Sequence, residues 1–252
     1  AFSNLGVRHL RLKNCSLATL SAFSFLGGLM QMTMRKLEIS NNDRPITLPD
    51  RILIGLKMDE VIITNSKLAS VSFLLDSTVQ TVDLSNNQLG DDILEHFKEI
   101  STIKHLYLNN IQLTEFVFSP WMKNLVSLSL ENNDIDEILL NPTKSLSHLF
   151  ALNLRNNKLN MLPRNIGIIL PNVTLLDLGR NQLTEFPMLL DMKNLSQLRL
   201  DGNKIQTLGQ KWQPFLEQLQ LLVLTGNPLH CNCELQWFKD WMASRTYQQT
   251  QV

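Results

Sequence analysis

Three cysteines and five histidines are the residues of this 252-residue chain best suited to chemistry, and their spacing limits what they can do. His230, Cys231 and Cys233 could begin a metal site, but zinc takes four ligands and the sequence offers no fourth nearby. His9, His96, His105 and His148 are scattered. None falls into a nucleophile–base pattern, a glycine-rich phosphate loop or a metal spacing. The expectation is a chain without enzymatic activity, cofactor or metal. The residues left to consider belong to recognition surfaces: Tyr107, Phe150, Arg155, Asp177 and Arg199. Aromatic residues and arginine are the types on which interfaces concentrate their binding energy. Whether these five serve one surface depends on the elements that carry them.

Those elements repeat. The pattern Leu-x-x-Leu-x-Leu-x-x-Asn-x-Leu is clearest over residues 125–135, 149–159 and 195–205. Its first apolar position is filled by Val7, Met34, Met58, Val79, Ile103, Leu125, Leu149, Val173, Leu195 and Leu219, in steps of 21 to 27 residues by subtraction. A motif of this kind at a period of roughly 20–29 residues resembles the leucine-rich repeat. The resemblance implies an α/β repeat solenoid, a horseshoe with a parallel β-sheet on its concave face, an irregular convex side and a short helical C-terminal cap. Each copy supplies one short strand. Positions 1, 4, 6 and 11 turn inward, and since one repeat cannot bury its apolar face alone, the repeats must stack. The solenoid is expected over residues 1–229 and a truncated cysteine-rich cap over 230–252, as one extended domain.

Position 9 turns the chain out of the strand, and its Asn is expected to satisfy backbone groups of neighbouring coils. The column reads Cys15, Asn42, Ser66, Asn87, Ile111, Asn133, Asn157, Asn181, Asn203 and Asn227. Ile111 has no polar group to offer, so the ladder is expected to break there, with water or a shifted Asn110 filling in. Cys15 reads as a buried structural thiol. Repeat two is the least regular, with Asp43-Arg44-Pro45 where position 11 should be apolar. Leu162-Pro163, Phe186-Pro187, Phe97 and Trp121 are expected to pack the convex side.

The balance of 23 basic and 23 acidic residues gives no electrostatic case for nucleic acid or an anionic membrane. No run of about 18 apolar residues could insert into a bilayer. The opening AFSNLGVRHL reads as the end of an earlier repeat, so the chain is expected to be a piece of a longer one.

At the other end the period stops. Cys231-x-Cys233 leads into a segment with Leu235, Trp237, Phe238, Trp241 and Met242 on one helical face. This resembles the cysteine-rich C-terminal flank of extracellular leucine-rich-repeat proteins such as Toll-like receptors, Slit and neuronal adhesion receptors. The resemblance implies that Cys231 and Cys233 bond to two later cysteines and that the helix covers the open end of the core. The chain departs from the pattern by ending at Val252, before those partners. A bond between Cys231 and Cys233 is sterically poor. Three glycosylation sequons fit an extracellular chain: Asn14-Cys15-Ser16, Asn172-Val173-Thr174 and Asn194-Leu195-Ser196. Asn172 and Asn194 both stand just before a strand.

In such an architecture ligands meet strand positions 2, 3, 5, 7 and 8. Repeats one and two are basic there, with Arg8, His9, Arg11, Lys13, Arg35 and Lys36, an end suited to an acidic partner. Tyr107, Phe150, Arg155, Asp177 and Arg199 form the candidate contact set farther along. Leu221 and Val223 are expected to pack on the cap. The resemblance implies a secreted or cell-surface recognition module for a protein ligand or partner receptor, in innate immunity or in cell adhesion, guidance or matrix organisation. An open solenoid end is also suited to dimerisation.

Overall fold

The computed structural model describes residues 7–18, 34–140, 145–230, 235–245 and 250–251. The chain forms two compact units, residues 1–113 and 114–252. In the first, the repeat pattern yields five strands: β1 (His9–Lys13), β2 (Lys36–Ser40), β3 (Glu60–Thr64), β4 (Thr81–Asp83) and β5 (His105–Tyr107). They pair in sequence order, all parallel, so that like positions of each repeat stand side by side: His9 beside Lys36, Lys36 beside Glu60, Thr81 beside His105. Positions 4 and 6 bury Leu37 and Ile39, Val61 and Ile63, Val82 and Leu84, Leu106 and Leu108 to 1% exposure or less. Full burial of one such side chain stabilises by roughly 1.5–3 kcal/mol. A helix of one turn, α1 (Ile93–His96), returns the chain in repeat four and buries Ile93, and the turn after it buries Phe97.

The second unit holds β6 (Glu115–Phe118), β7 (Ser127–Ser129), β8 (Glu137–Leu140), β9 (Ala151–Asn153), β10 (Leu175–Asp177), β11 (Gln197–Arg199), β12 (Leu221–Val223) and β13 (Thr250–Gln251). The strands β7, β9, β10, β11, β12 and β13 form the repeat sheet, again all parallel. β6 and β8 pair separately on the return side, where Phe116 and Phe118 meet edge to face at 5.0 Å. The returning segments are otherwise short helices, α2 (Ile166–Ile169) and α3 (Gln213–Glu217). Gly167 lets α2 approach the next coil, since a Cβ there would lie 2.8 Å from that of Asp191. Phe186, Trp212 and Phe215 form an aromatic cluster beneath these returns. This is the α/β repeat fold with an irregular return side that the periodicity implied.

The last helix, α4 (Gln236–Ala243), buries Phe238 and stacks it on Trp241 at 5.5 Å. Arg245 ties it to the final repeat, donating to the carbonyls of Leu219 (2.7 Å), Glu217 (3.0 Å) and Leu216 (3.3 Å), with its guanidinium over the Trp241 ring. Val223 is buried and Leu221 half-buried. Cys231 and Cys233 lie outside the described residues.

Two side-chain ladders end the strands. Position 9 works as its residue type requires. The Nδ2 of Asn157 donates to the carbonyls of Leu130 and Leu154, and its Oδ1 accepts from Ile135 N–H. Asn181 and Asn203 repeat the arrangement. Ser66 accepts from Asn42 N–H, and Cys15 stands half-buried with its Sγ 3.3 Å from Lys13 O. Ile111 is fully buried, and Asn110 does not move in to replace it.

Asn110 belongs instead to an outer ladder at position 8. There Asn14, Asn41, Asn65, Asn86, Asn110, Asn132, Asn156 and Arg180 all have φ between 47° and 61°, and Gly202 and Gly226 close the column with φ of 66° and 74°. Asn is among the few residues that tolerate this left-handed conformation. The exposed amides also bond along the column: Asn41 to Asn14, Asn65 to Asn41, Asn110 to Asn86, Asn156 to Asn132. Position 8 is therefore turn structure rather than ligand-facing sheet. The irregular repeat two recovers its core contact two residues late. Ile46, not Arg44, bridges to Leu68 and is fully buried, while Asn42 Nδ2 holds Arg44 O.

Candidate recognition surface

Positions 2, 3, 5 and 7 remain as the exposed face of each sheet. In the unit of residues 114–252, position 7 carries Arg155, Gly179 and Asp201 in three consecutive repeats. Arg155 reaches across the glycine and grips Asp201 with both guanidinium arms, Nη1 to Oδ1 at 3.0 Å and Nη2 to Oδ2 at 2.7 Å. A Cβ on Gly179 would stand 2.1 Å from Nη1, so only glycine leaves this path open. Asp177 joins weakly at 3.4 Å and also accepts from Gly179 N–H at 2.9 Å. The bond from Arg155 holds the Asp201 carboxyl below its ordinary value, and that to Asp201 raises the Arg155 guanidinium. Asp177 goes the other way, because burial pushes it up more than its partners pull it down.

Of the candidate contact set, Arg155 is thus tied to Asp201 and, weakly, to Asp177. Phe150 at position 2 is 49% exposed, and Arg199, beside Asp177 in register, is exposed at position 5. Tyr107 lies half-buried on β5 of the first unit, in register with Asp83. Asp201 is legible as an exposed strand position, but Gly179 and the bridge from Arg155 to Asp201 are not. Their signal is visible only when the position-7 residues are read down the column.

The basic end of the first unit is partly neutralised. Glu38, 8% exposed, accepts from Arg11 Nε at 2.8 Å and Lys13 Nζ at 3.0 Å, with His9 Nε2 at 3.3 Å. Burial is the largest single influence on its carboxyl and pushes it up. The hydrogen bonds and charges of Lys13 and Arg11 together outweigh burial and leave it below its ordinary value. Arg35 pairs with Asp59 and Lys36 with Glu60. These pairs offset part of the positive charge expected to attract an acidic partner, and Arg8 stays exposed.

Asn172 and Asn194 are exposed and Asn14 stands in the outer ladder, so all three sequon residues reach solvent. A groove of about 530 Å³ opens beside β8, lined by Glu137, Leu139, Met161 and Pro163 among others. Among the described residues no three of His, Cys, Asp and Glu converge to hold a metal, and no helix is long and apolar enough to cross a membrane.

Comparison with known proteins agrees with this geometry. Residues 78–100 match the family model for the Leucine Rich Repeat. Nephrocan of Mus musculus is 26% identical over 175 residues, 69% of this chain and 29% of that protein. Epiphycan of Gallus gallus is 38% identical over 66 residues, 25% of this chain and 21% of that one. The High affinity nerve growth factor receptor of Rattus norvegicus is 47% identical over 47 residues, 19% of this chain and 6% of the receptor. The chain spans less than a third of these relatives' length. Among solved structures, a chain of the octameric complex of Latrophilin 3, Unc5D and FLRT2, the last contributing its leucine-rich repeats, superposes with a TM-score of 0.64 at 17% identity. The match covers 99% of this chain and 71% of that one. The chain carries leucine-rich repeats and has their fold.

Proposed function

We propose that this chain is a non-enzymatic recognition module of an extracellular protein and binds a protein partner on the sheet face of residues 114–252. The observation that carries the reading is that Phe150 and Arg199 stand exposed on one sheet face that also bears the Arg155–Asp201 bridge. A solvated aromatic and an unpinned arginine are the residue types that anchor interfaces. The bridge is already formed in the free chain, which spares a partner the entropy of ordering those two side chains.

The relatives favour cell adhesion, guidance or matrix organisation over innate immune recognition, since they include Nephrocan, Epiphycan, a growth factor receptor and a multi-protein assembly. The test is a screen of the purified chain against cell-surface and matrix proteins. Phe150→Ala and Arg199→Ala are each expected to weaken the partner found by roughly tenfold or more, the loss of one interface anchor. Tyr107→Ala is the contrast, since that ring is half-buried in the other unit. Full binding by the Phe150 and Arg199 variants together would place the interface elsewhere.

A further inference from the structure

The residue just before position 1 forms a third ladder in several repeats. Thr78 donates to the carbonyls of Leu56 and Met58, Thr102 to that of Ser77, and His148 Nδ1 lies 3.0 Å from Lys123 O. Asn172 continues the column, giving its Nδ2 to Ser147 O at 2.8 Å. Asn194 gives its own to Pro171 O at 3.0 Å and to Asn172 Oδ1 at 3.0 Å. An amide nitrogen carries two hydrogens. Asn194 spends both. Asn172 spends one, and its second has no acceptor among the described residues.

Both asparagines lie in sequons, both are exposed, and N-glycosylation replaces one hydrogen of Nδ2. We propose that Asn172 is the N-glycosylated residue of this pair and that Asn194 is its unmodified ladder neighbour. The inference rests on the extracellular reading. The donor is a lipid-linked oligosaccharide. A bond forms between Asn172 Nδ2 and the anomeric carbon, and the bond from that carbon to the lipid pyrophosphate breaks. The pyrophosphate leaves with the electron pair, and Nδ2 loses one proton to solvent. The substituted amide keeps one hydrogen for Ser147 O and its oxygen for Asn194. A glycan on Asn194 would instead sever one of its two ladder bonds, so the folded chain accommodates the first glycan and not the second without loss. The glycan stands at the strand-entry flank of repeat eight.

The test is secretion of the chain from eukaryotic cells behind a cleavable leader. Release by peptide-N-glycosidase F in heavy-oxygen water then marks each occupied asparagine for peptide mapping. The leader brings the sequons to the transferase whatever the natural compartment, so failure here is separate from failure of the extracellular reading. Label at Asn172, with several-fold less at Asn194, is expected. Thr174→Val should abolish the Asn172 label while leaving its bond to Ser147. Asn194→Thr, which restores the donor type of Thr78 and Thr102, should leave that label in place. An unlabelled Asn172 peptide, or equal label at Asn194, overturns the assignment.

Discussion

Gly179→Ala isolates the bridge that shapes the candidate surface. Gly179 does not have the positive φ of Gly202 and Gly226, so its backbone admits alanine. By itself the change would stabilise by about 0.4–1 kcal/mol through the unfolded chain. The new Cβ, however, would lie 2.1 Å from Arg155 Nη1 and 2.8 Å from Asp201 Oδ1. The guanidinium is the end of a flexible side chain, so it moves away and the bidentate bond is lost. Arg155 and Asp201 side chains are 21% and 18% exposed. Charged hydrogen bonds so placed contribute about 1.5–3 kcal/mol. The net expectation is a loss of about 1–2 kcal/mol, read as about 2–4 °C of melting temperature per kcal/mol in a chain of this size. Urea and thermal unfolding of the wild type, Gly179→Ala, Arg155→Met and the double variant decide the matter. In the Arg155→Met background the new Cβ meets only Asp201 Oδ1, the end of a side chain no longer held by Arg155, so the loss should shrink toward zero. An equal loss in both backgrounds would refute the idea that Gly179 exists to let Arg155 pass.

Three further expectations concern charge and the cap. Glu38 has a folded pKa below its unfolded value of about 4.3, so its stabilisation is present above that value and lost as pH falls from it through the lower folded pKa. Glu38→Gln should therefore cost about 1 kcal/mol at neutral pH, discounted for the half-exposed Arg11 and Lys13, and converge with wild type in acid titrations of stability. Asp201 has the same sign and Asp177 the opposite, its ionised form being disfavoured in the fold. At pH 7 Asp201→Asn should destabilise by about 1–3 kcal/mol, whereas Asp177→Asn, which keeps an acceptor for Gly179 N–H, should be neutral or slightly stabilising in chemical denaturation. Arg245→Met removes three carbonyl bonds and the Trp241 contact, about 2 kcal/mol together, and should raise hydrogen exchange in α4 ahead of the repeats.

The repeat pattern is legible because its two alternations are physical. Inward positions must be apolar to bury and position 9 must be polar to satisfy neighbouring backbone, so Leu152, Leu154 and Asn157 declare their places from the sequence alone. What escapes is anything decided between repeats. Arg155 reads as a free arginine until the glycine beside it and the aspartate beyond are aligned as one column. Arg11 and Lys13 read as free cations until Glu38 is set against them. The late core contact at Ile46 escapes because the pattern counts residues, whereas the core asks only that some apolar side chain arrive.

The outer asparagine ladder was hidden for a related reason. Exposed Asn at a strand end passes for a solvated contact residue, but here the left-handed backbone asks for it. Asn156 has φ 53° and donates to Asn132 Oδ1 at 2.6 Å. Alanine in its place pays about 1–2 kcal/mol for the left-handed conformation and also loses the amide bond. Glycine removes that strain and forfeits only the bond, about 1 kcal/mol, offset in part by its looser unfolded chain. The chain makes the same substitution at Gly202 and Gly226, where the equivalent position has φ of 66° and 74°. Asn156→Gly should then unfold nearer to wild type than Asn156→Ala, and both should keep partner binding intact. If the two variants are equally unstable, the column is held by its amide bonds rather than its backbone. If either loses partner binding while folded, position 8 belongs to the recognition surface after all.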